Sequence, residues 1–205
     1  MGNYKESIAI IIPALDPDER MVSLVGQLHD DGFSNIILVD DGSLIANRKY
    51  FKTCKETCHC KIIRHVVNFG KGIALKSAFN YILEQRPDIK GAVTVDCDGQ
   101  HVLPDINTCA KLTYEHPDSL ILGCRQFDDK EIPLRSRFGN KLTRQMIRLL
   151  CGIHVSDTQT GLRGLPTPLI REHFANVKGE RFEYEMNMLI AAKEYQIPIE
   201  EFPIQ

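Results

Sequence analysis

Three short apolar runs in this chain break off into acidic turns, and together they leave few folds open. Ile8 to Ile12 runs into Pro13-Ala14-Leu15-Asp16, Ile36 to Val39 into Asp40-Asp41-Gly42-Ser43, and Ala92 to Val95 into Asp96-Cys97-Asp98. Uninterrupted apolar runs this short, rich in β-branched side chains, read as strands buried on both faces. Helical patterns lie between them. Asp16-Pro17-Asp18-Glu19 offers an N-cap, a proline near the first turn and acidic first-turn residues. Met21, Val22, Leu24, Val25 and Leu28 follow at helical spacing. Lys61 to His65 reads as a further strand, after which Asn68-Phe69-Gly70-Lys71-Gly72 opens a helix through Ala74, Leu75, Ala78, Phe79, Ile82 and Leu83. Leu103 to His116 reads as helix and Ser119 to Gly123 as the fifth strand. Repeated β-α units with short connections predict an α/β fold, a mostly parallel central sheet with helices on both faces. Ligands of such sheets gather at the carboxyl ends of the strands, where all three acidic turns fall. Each turn alone is an ordinary polar turn; three on one edge describe a site.

At 205 residues the chain is expected to form a single domain, 1–205, whose pattern changes after Gly123. Hydrophobic residues make up 43%, enough for a real core, and the net charge of −2 gives no footprint for nucleic acid. No run of 18 apolar residues exists to span a bilayer, and Met1 to Ser7 leads into the first strand without a signal-peptide pattern. Seven scattered cysteines, an odd number, read as reduced thiols of a cytoplasmic protein. Cys54, Cys58, His59 and Cys60 form the one cluster with zinc-like spacing, but a structural site needs a second half that is not visible nearby.

Asp96 and Asp98 sit one residue apart at a strand end. Carboxylates so placed repel unless a cation lies between or beside them, and an oxygen-rich pair suits Mg²⁺ or Mn²⁺ holding a substrate's phosphates. Arg125 to Pro133 is charged and loop-like. Arg135 to Leu150 reads as a basic amphipathic helix, with Arg135, Arg137, Lys141, Arg144 and Arg148 beside Phe138, Leu142, Met146 and Ile147. Its basic side is either a solvated face or a surface for anionic lipid head groups or an anionic substrate.

Taken in order, Ile-Ile-Pro-Ala, Val-Asp-Asp-Gly-Ser, Asn-Phe-Gly-Lys-Gly-Ile-Ala, Asp-Cys-Asp-Gly-Gln-His, Asp-Thr-Gln-Thr-Gly-Leu-Arg-Gly and Arg-Phe-Glu-Tyr-Glu-Met closely resemble the family-2 glycosyltransferases. Within them the chain is most similar to the branch of dolichyl-phosphate mannose synthase and bacterial polyprenyl-phosphate glucosyltransferases. The match covers residues 8 to 205. It implies a GT-A nucleotide-diphospho-sugar transferase fold, with about 1–123 as the nucleotide-binding half and about 124–205 as the acceptor-side half.

The same resemblance implies a metal-dependent, inverting sugar transfer in cell-envelope glycan synthesis. The donor would be a nucleotide-diphospho-sugar, UDP-glucose as the first guess, and the acceptor a polyprenyl phosphate. Pro13, Ala14 and Leu15 match the segment lining the base pocket. Asp41, or its neighbour Asp40, should hydrogen-bond the base or ribose. Backbone N–H groups of Gly70-Lys71-Gly72 and the Lys71 ammonium could meet the diphosphate, although Gly72 also reads as a plain helix start. Asp98 is the first choice of metal ligand, with Asp96 nearer ribose or metal and Gln100 as a further ligand. Asp157, Gln159, Thr160, Gly161 and Arg163 match the acceptor-side motif; Asp157 would be the general base, or would position a lipid phosphate that is already ionised. Arg125 and Arg135 are candidates for a phosphate, with Arg137 behind them. Glu183 and Glu185, at i and i+2, cannot share a helix face, and Glu183 reads as structural. Peripheral attachment at the inner face of the cell membrane, through 135–148, would follow. Two alternatives stay open: a non-catalytic nucleotide-binding module, and a sugar-nucleotide nucleotidylyltransferase, which would want a glycine- and arginine-rich loop after the first strand.

Overall fold

The computed structural model describes residues 3–125, 152 and 155–205. Among these residues seven strands form one sheet in the order β3-β2-β1-β4-β6-β5-β7. They are β1 (Ile8–Ala14), β2 (Ile36–Asp40), β3 (Lys61–Arg64), β4 (Gly91–Thr94), β5 (Leu120–Arg125), β6 (Arg163–Pro166) and β7 (Ile199–Ile204). All neighbours run parallel except at β6, which pairs antiparallel with both β4 and β5.

β1 shows why the apolar runs are unbroken. Ile8, Ile10 and Ile12 pack on one face with Met21, Leu24, Val25, Phe51, Ile106 and Cys109, from α2 (Glu19–Asp30), α3 (Arg48–Cys58) and α5 (Leu103–Glu115). Ala9 and Ile11 pack on the other with Ala74, Leu75, Ala78, Phe79 and Met188, from α4 (Lys71–Gln85) and α7 (Glu183–Glu194). Successive strand side chains point to opposite faces, so a strand covered on both sides must be apolar at every position. Two smaller helices, α1 (Tyr4–Ser7) and α6 (Thr167–Glu172), complete the set among the described residues.

The start of α2 follows its sequence signals with a shift. Asp18, not Asp16, is the N-cap, its carboxylate accepting from the Arg20 amide at 2.9 Å. Asp16 instead ties the loop after β1 to the loop after β2. Its Oδ1 accepts from the Leu44 amide at 2.8 Å, and its own N–H donates to Ser43 Oγ at 2.9 Å. Register then fixes the working edge. Ala14 lies beside Asp40, Asp40 beside Arg64 and Ile11 beside Thr94, so β1 to β4 end on one side of the molecule. Because β6 runs the other way, with Arg163 beside Thr94, the segment entering β6 (157–162) arrives at that same edge.

Candidate active site

A cleft of about 400 Å³ opens along this edge. Its walls include Pro13, Ala14 and Leu15 after β1, Asp41 after β2, Gly70 and Lys71 at the start of α4, Asp96 and Asp98 after β4, Gln159 before β6, and Arg181, Phe182 and Glu185 around the start of α7. Acidic turns far apart in the chain therefore meet in one cavity.

Lys71 sits at its centre. The ammonium contacts Asp96 Oδ1 at 2.7 Å and Glu185 Oε1 at 2.9 Å, the first a well-formed hydrogen bond and the second an ion pair off the ideal alignment. Burial would lower its pKa, but Glu185 and then Asp96 outweigh that and raise it. Asp96 shows the complement. Burial pushes its carboxyl up, yet His101 and Lys71 together hold it well below the usual carboxylate range. The His101 ring nitrogen stands 3.7 Å from Asp96 Oδ2, an ionic contact too long for a hydrogen bond, so Lys71 is the firmer partner. Room for Asp96 comes from Gly161, where an added Cβ would collide with the carboxylate.

Behind Glu185 lies Arg163, fully buried on β6. Its guanidinium donates to the carbonyls of Thr160 at 3.0 Å and of Glu185, so one side chain fixes both the entry to β6 and the first turn of α7. Asp157 is also fully buried. It accepts from Arg125 Nε at 2.7 Å and from the Gln159 amide at 2.9 Å. Arg125 ends β5, so this pair joins the sheet to the segment before β6.

Asp40 and Asp41 have divergent surroundings. Asp40 is wholly buried beneath the cleft, accepting from the Ser43 amide at 2.9 Å and Arg64 Nε at 2.7 Å. Asp41 faces the cleft, while its carboxylate accepts from the Phe69 and Gly70 amides at 3.0 and 2.8 Å and contacts His65 Nδ1 at 2.7 Å. Its first effect is thus to shape the loop that starts α4. The Ile73 amide in that first turn donates to the Glu180 carbonyl at 3.1 Å, which removes it from any ligand. Gln100 is exposed, and its backbone amide donates to Asp98 Oδ1 at 3.0 Å; its side chain lies outside the cleft wall. Arg135, Arg137 and the basic helix lie outside the described residues.

Sequence reasoning assigned no role to Glu185, Arg181, Phe182, Asn68 or His101, all placed at or beside the cleft. The Arg-Phe-Glu-Tyr-Glu-Met stretch was the available signal. Glu183 accepts from the Glu180 and Arg181 amides at 2.9 and 3.2 Å.

Residues 10–174 match the model of glycosyl transferase family 2. The chain belongs to that family. A UDP-N-acetylglucosamine–dolichyl-phosphate N-acetylglucosaminyltransferase of Methanococcus voltae is 30% identical to this glycosyltransferase over 214 residues, covering 97% of this chain and 84% of the relative. An uncharacterized protein of Methanocaldococcus jannaschii is 29% identical, covering 98% and 82%. The human dolichyl-phosphate β-glucosyltransferase is 24% identical, covering 97% and 67%. Among solved structures, glucosyl-3-phosphoglycerate synthase of Mycobacterium tuberculosis in complex with Mn²⁺, UDP and glucosyl-3-phosphoglycerate superposes with a TM-score of 0.74 at 14% identity, covering 97% of this chain and 70% of that one. The transferase thus has the GT-A fold that the resemblance to family-2 glycosyltransferases implied.

Cys54 and Cys60 are buried, and burial pushes their thiols up to about 11 and about 12. Among the described residues no group of three or more His, Cys, Asp or Glu side chains is arranged to hold a metal ion. That excludes an all-protein cage there, but not a cation shared with a substrate. Mg²⁺ and Mn²⁺ are commonly held by one or two carboxylates together with phosphates. Among the described residues the cleft wall carries four carboxylates (Asp41, Asp96, Asp98, Glu185) against two cations (Lys71, Arg181). Asp98 has no ion-pair partner among the described residues. Paired with a substrate's phosphates, these carboxylates are a donor set that fits such a cation.

Proposed function

We propose that this glycosyltransferase moves a hexose from a nucleotide-diphospho-sugar, with UDP-glucose the first choice, to a polyprenyl phosphate, with inversion at the anomeric carbon. The observation that carries the reading is the convergence of Asp41, Asp96 and Asp98 on one cleft, where carboxylates outnumber cations among the described residues. The named relatives that act on dolichyl phosphate support the lipid acceptor, and the UDP in one relative's name supports the base. Pro13, Ala14, Leu15 and Asp41 would border the nucleoside. Asp98, with Asp96 beside it, would hold Mg²⁺ or Mn²⁺, which when bound supplies charge neutralisation of the departing diphosphate.

Lys71 orients Asp96 and keeps its own charge at the centre of the cleft. A donor phosphate could take over part of that contact, since the raised pKa keeps the ammonium protonated at neutral pH. Asp157 is clamped by Arg125 and the Gln159 amide, an arrangement better suited to positioning than to taking a proton. A phosphate acceptor is already ionised and asks for little proton removal. In-line attack with inversion then depends on holding acceptor oxygen and anomeric carbon in line, a matter of placement and charge stabilisation.

The test is a donor screen. UDP- and GDP-sugars are incubated with a short-chain, water-soluble polyprenyl phosphate, with Mn²⁺ or with a chelator. The reading expects a sugar phospholipid from a UDP-hexose with metal only. Equal activity in chelator, or sugar-1-phosphate and UTP exchange without acceptor, would replace it with a different chemistry.

A further inference from the structure

The loops that follow β2 and β3 carry an apolar surface beside the cleft. Leu44 and Ile45 project from the first loop and Val66, Val67 and Phe69 from the second; Ile45 and Val66 are 81% and 88% exposed. The two loops touch. Gly42, at φ 83°, is packed so closely that an added Cβ would strike the backbone of Val67 and Asn68. Large side chains left in water by five residues on two apposed loops form a patch, unlike scattered single exposures.

A basic hollow of about 520 Å³ adjoins it, floored by Phe51 and Ile62 and walled by Arg48, Lys49, Lys52, Lys55 and Arg64. Arg48 links the two features, its Nε donating to the Ser43 carbonyl at 3.4 Å. α3 holds Arg48, Lys49, Lys52 and Lys55 against Glu56 alone, a net +3 (4 − 1) in a chain whose total is −2. Lys52 meets Glu56 at 3.7 Å and Arg64 meets Asp40, while Lys49 and Lys55 have no ion pair among the described residues.

We infer that the Leu44–Ile45 and Val66–Phe69 loop tips, with the basic hollow of α3 and β3, are a docking surface for an anionic lipid bilayer. Apolar tips ringed by cations match an interface of acyl chain and acidic head group. No helix among the described residues is long and apolar enough to cross a membrane, so contact by these residues is interfacial. A second copy of the chain fits worse: a twofold contact would set the basic ring against itself. The same two loops supply Asp41, Asn68 and Gly70 to the cleft wall, so the bound bilayer would lie beside the donor site. The inference accords with a lipid acceptor but is tested apart from it.

The test is co-sedimentation with vesicles of phosphatidylcholine, alone and mixed with phosphatidylglycerol. The wild-type protein is expected to pellet with the mixed vesicles only, and to be released by high salt. Lys52→Glu/Lys55→Glu and Ile45→Ser/Val66→Ser should each weaken partitioning by about tenfold or more. All four positions are exposed and outside the cleft, so transfer to the water-soluble acceptor, measured without vesicles, should stay at the wild-type level and report intact folding. Wild-type protein left in the supernatant overturns the inference. So does binding that survives both double substitutions, which would assign it to another surface, and so does a dimer that the same substitutions dissolve. Loss of vesicle binding with soluble transfer retained supports it; loss of transfer by the wild-type protein itself bears on the proposed reaction instead.

Discussion

Of the four carboxylates on the cleft wall, Asp98 alone lacks a Lys, Arg or His side chain within ion-pair distance among the described residues. Asp98→Ala should therefore leave the fold nearly untouched, within about 0.5 kcal/mol in urea unfolding. On the proposed reaction its transfer rate should fall by about a hundredfold or more, as charge stabilisation of the leaving group would go with it. A mutant with wild-type turnover would remove Asp98 from the reaction. Lys71 and Asp96 bear on how stability depends on pH. Asp96 is depressed in the fold, so its contribution to stability is present above its unfolded value of about 3.9 and lost as pH falls below it. Lys71 is raised, so its contribution is present below an unfolded value of about 10.4 and lost as pH rises through the higher folded one. Urea unfolding across pH should show the acid-side loss in the wild type and a smaller one in Asp96→Asn; identical acid slopes would contradict the pairing. Glu185 was hard to see beforehand, because a glutamate near a helix start usually faces water. Only the long-range meeting of α4 and α7 gives it Lys71 as a partner.

Among the elements, β1, β2 and β4 were legible because burial on both faces forces apolar residues at every position. β6 and β7 were not. Arg163-Gly164-Leu165-Pro166 has neither alternation nor an apolar run, and its arginine is buried only because the Thr160 and Glu185 carbonyls accept from it. Ile199–Ile204 has alternating exposure only at its end and a proline inside, which an edge strand tolerates. α3, with four cations in eleven residues, gave no apolar stripe strong enough to mark it. Two substitutions test these elements. Ile11→Ala, in the middle of β1, should cost about 2–5 kcal/mol in urea unfolding; a loss below 1 kcal/mol (about the size of a surface change) would deny the tight double-faced packing. Gly161→Ala, at the entry to β6, should displace Asp96 and lower turnover far more than it lowers the melting point. Wild-type turnover in that variant would mean that Asp96 can move without consequence.

For the whole molecule, the reversed strand β6 is what completes the site: it returns the chain to the edge where β1, β2 and β4 end, so residues separated by more than a hundred positions share one cleft. That return was visible in the sequence only as an ordered set of motifs, since no local pattern announces an antiparallel strand beside a parallel set. A ligand that binds across this assembly should stabilise all of it. UDP with Mn²⁺ at about a hundred times the dissociation constant should add roughly 2.7 kcal/mol to the folding free energy, seen as a rise in melting temperature that neither ligand gives alone. The most direct measurement follows labelled glucose from UDP-glucose into a butanol-extractable polyprenyl phosphate, with Mn²⁺ and with a chelator. Label should enter the lipid with the metal, vanish with the chelator and vanish in Asp98→Ala. Label entering the lipid equally under all three conditions would contradict the account of how this cleft works.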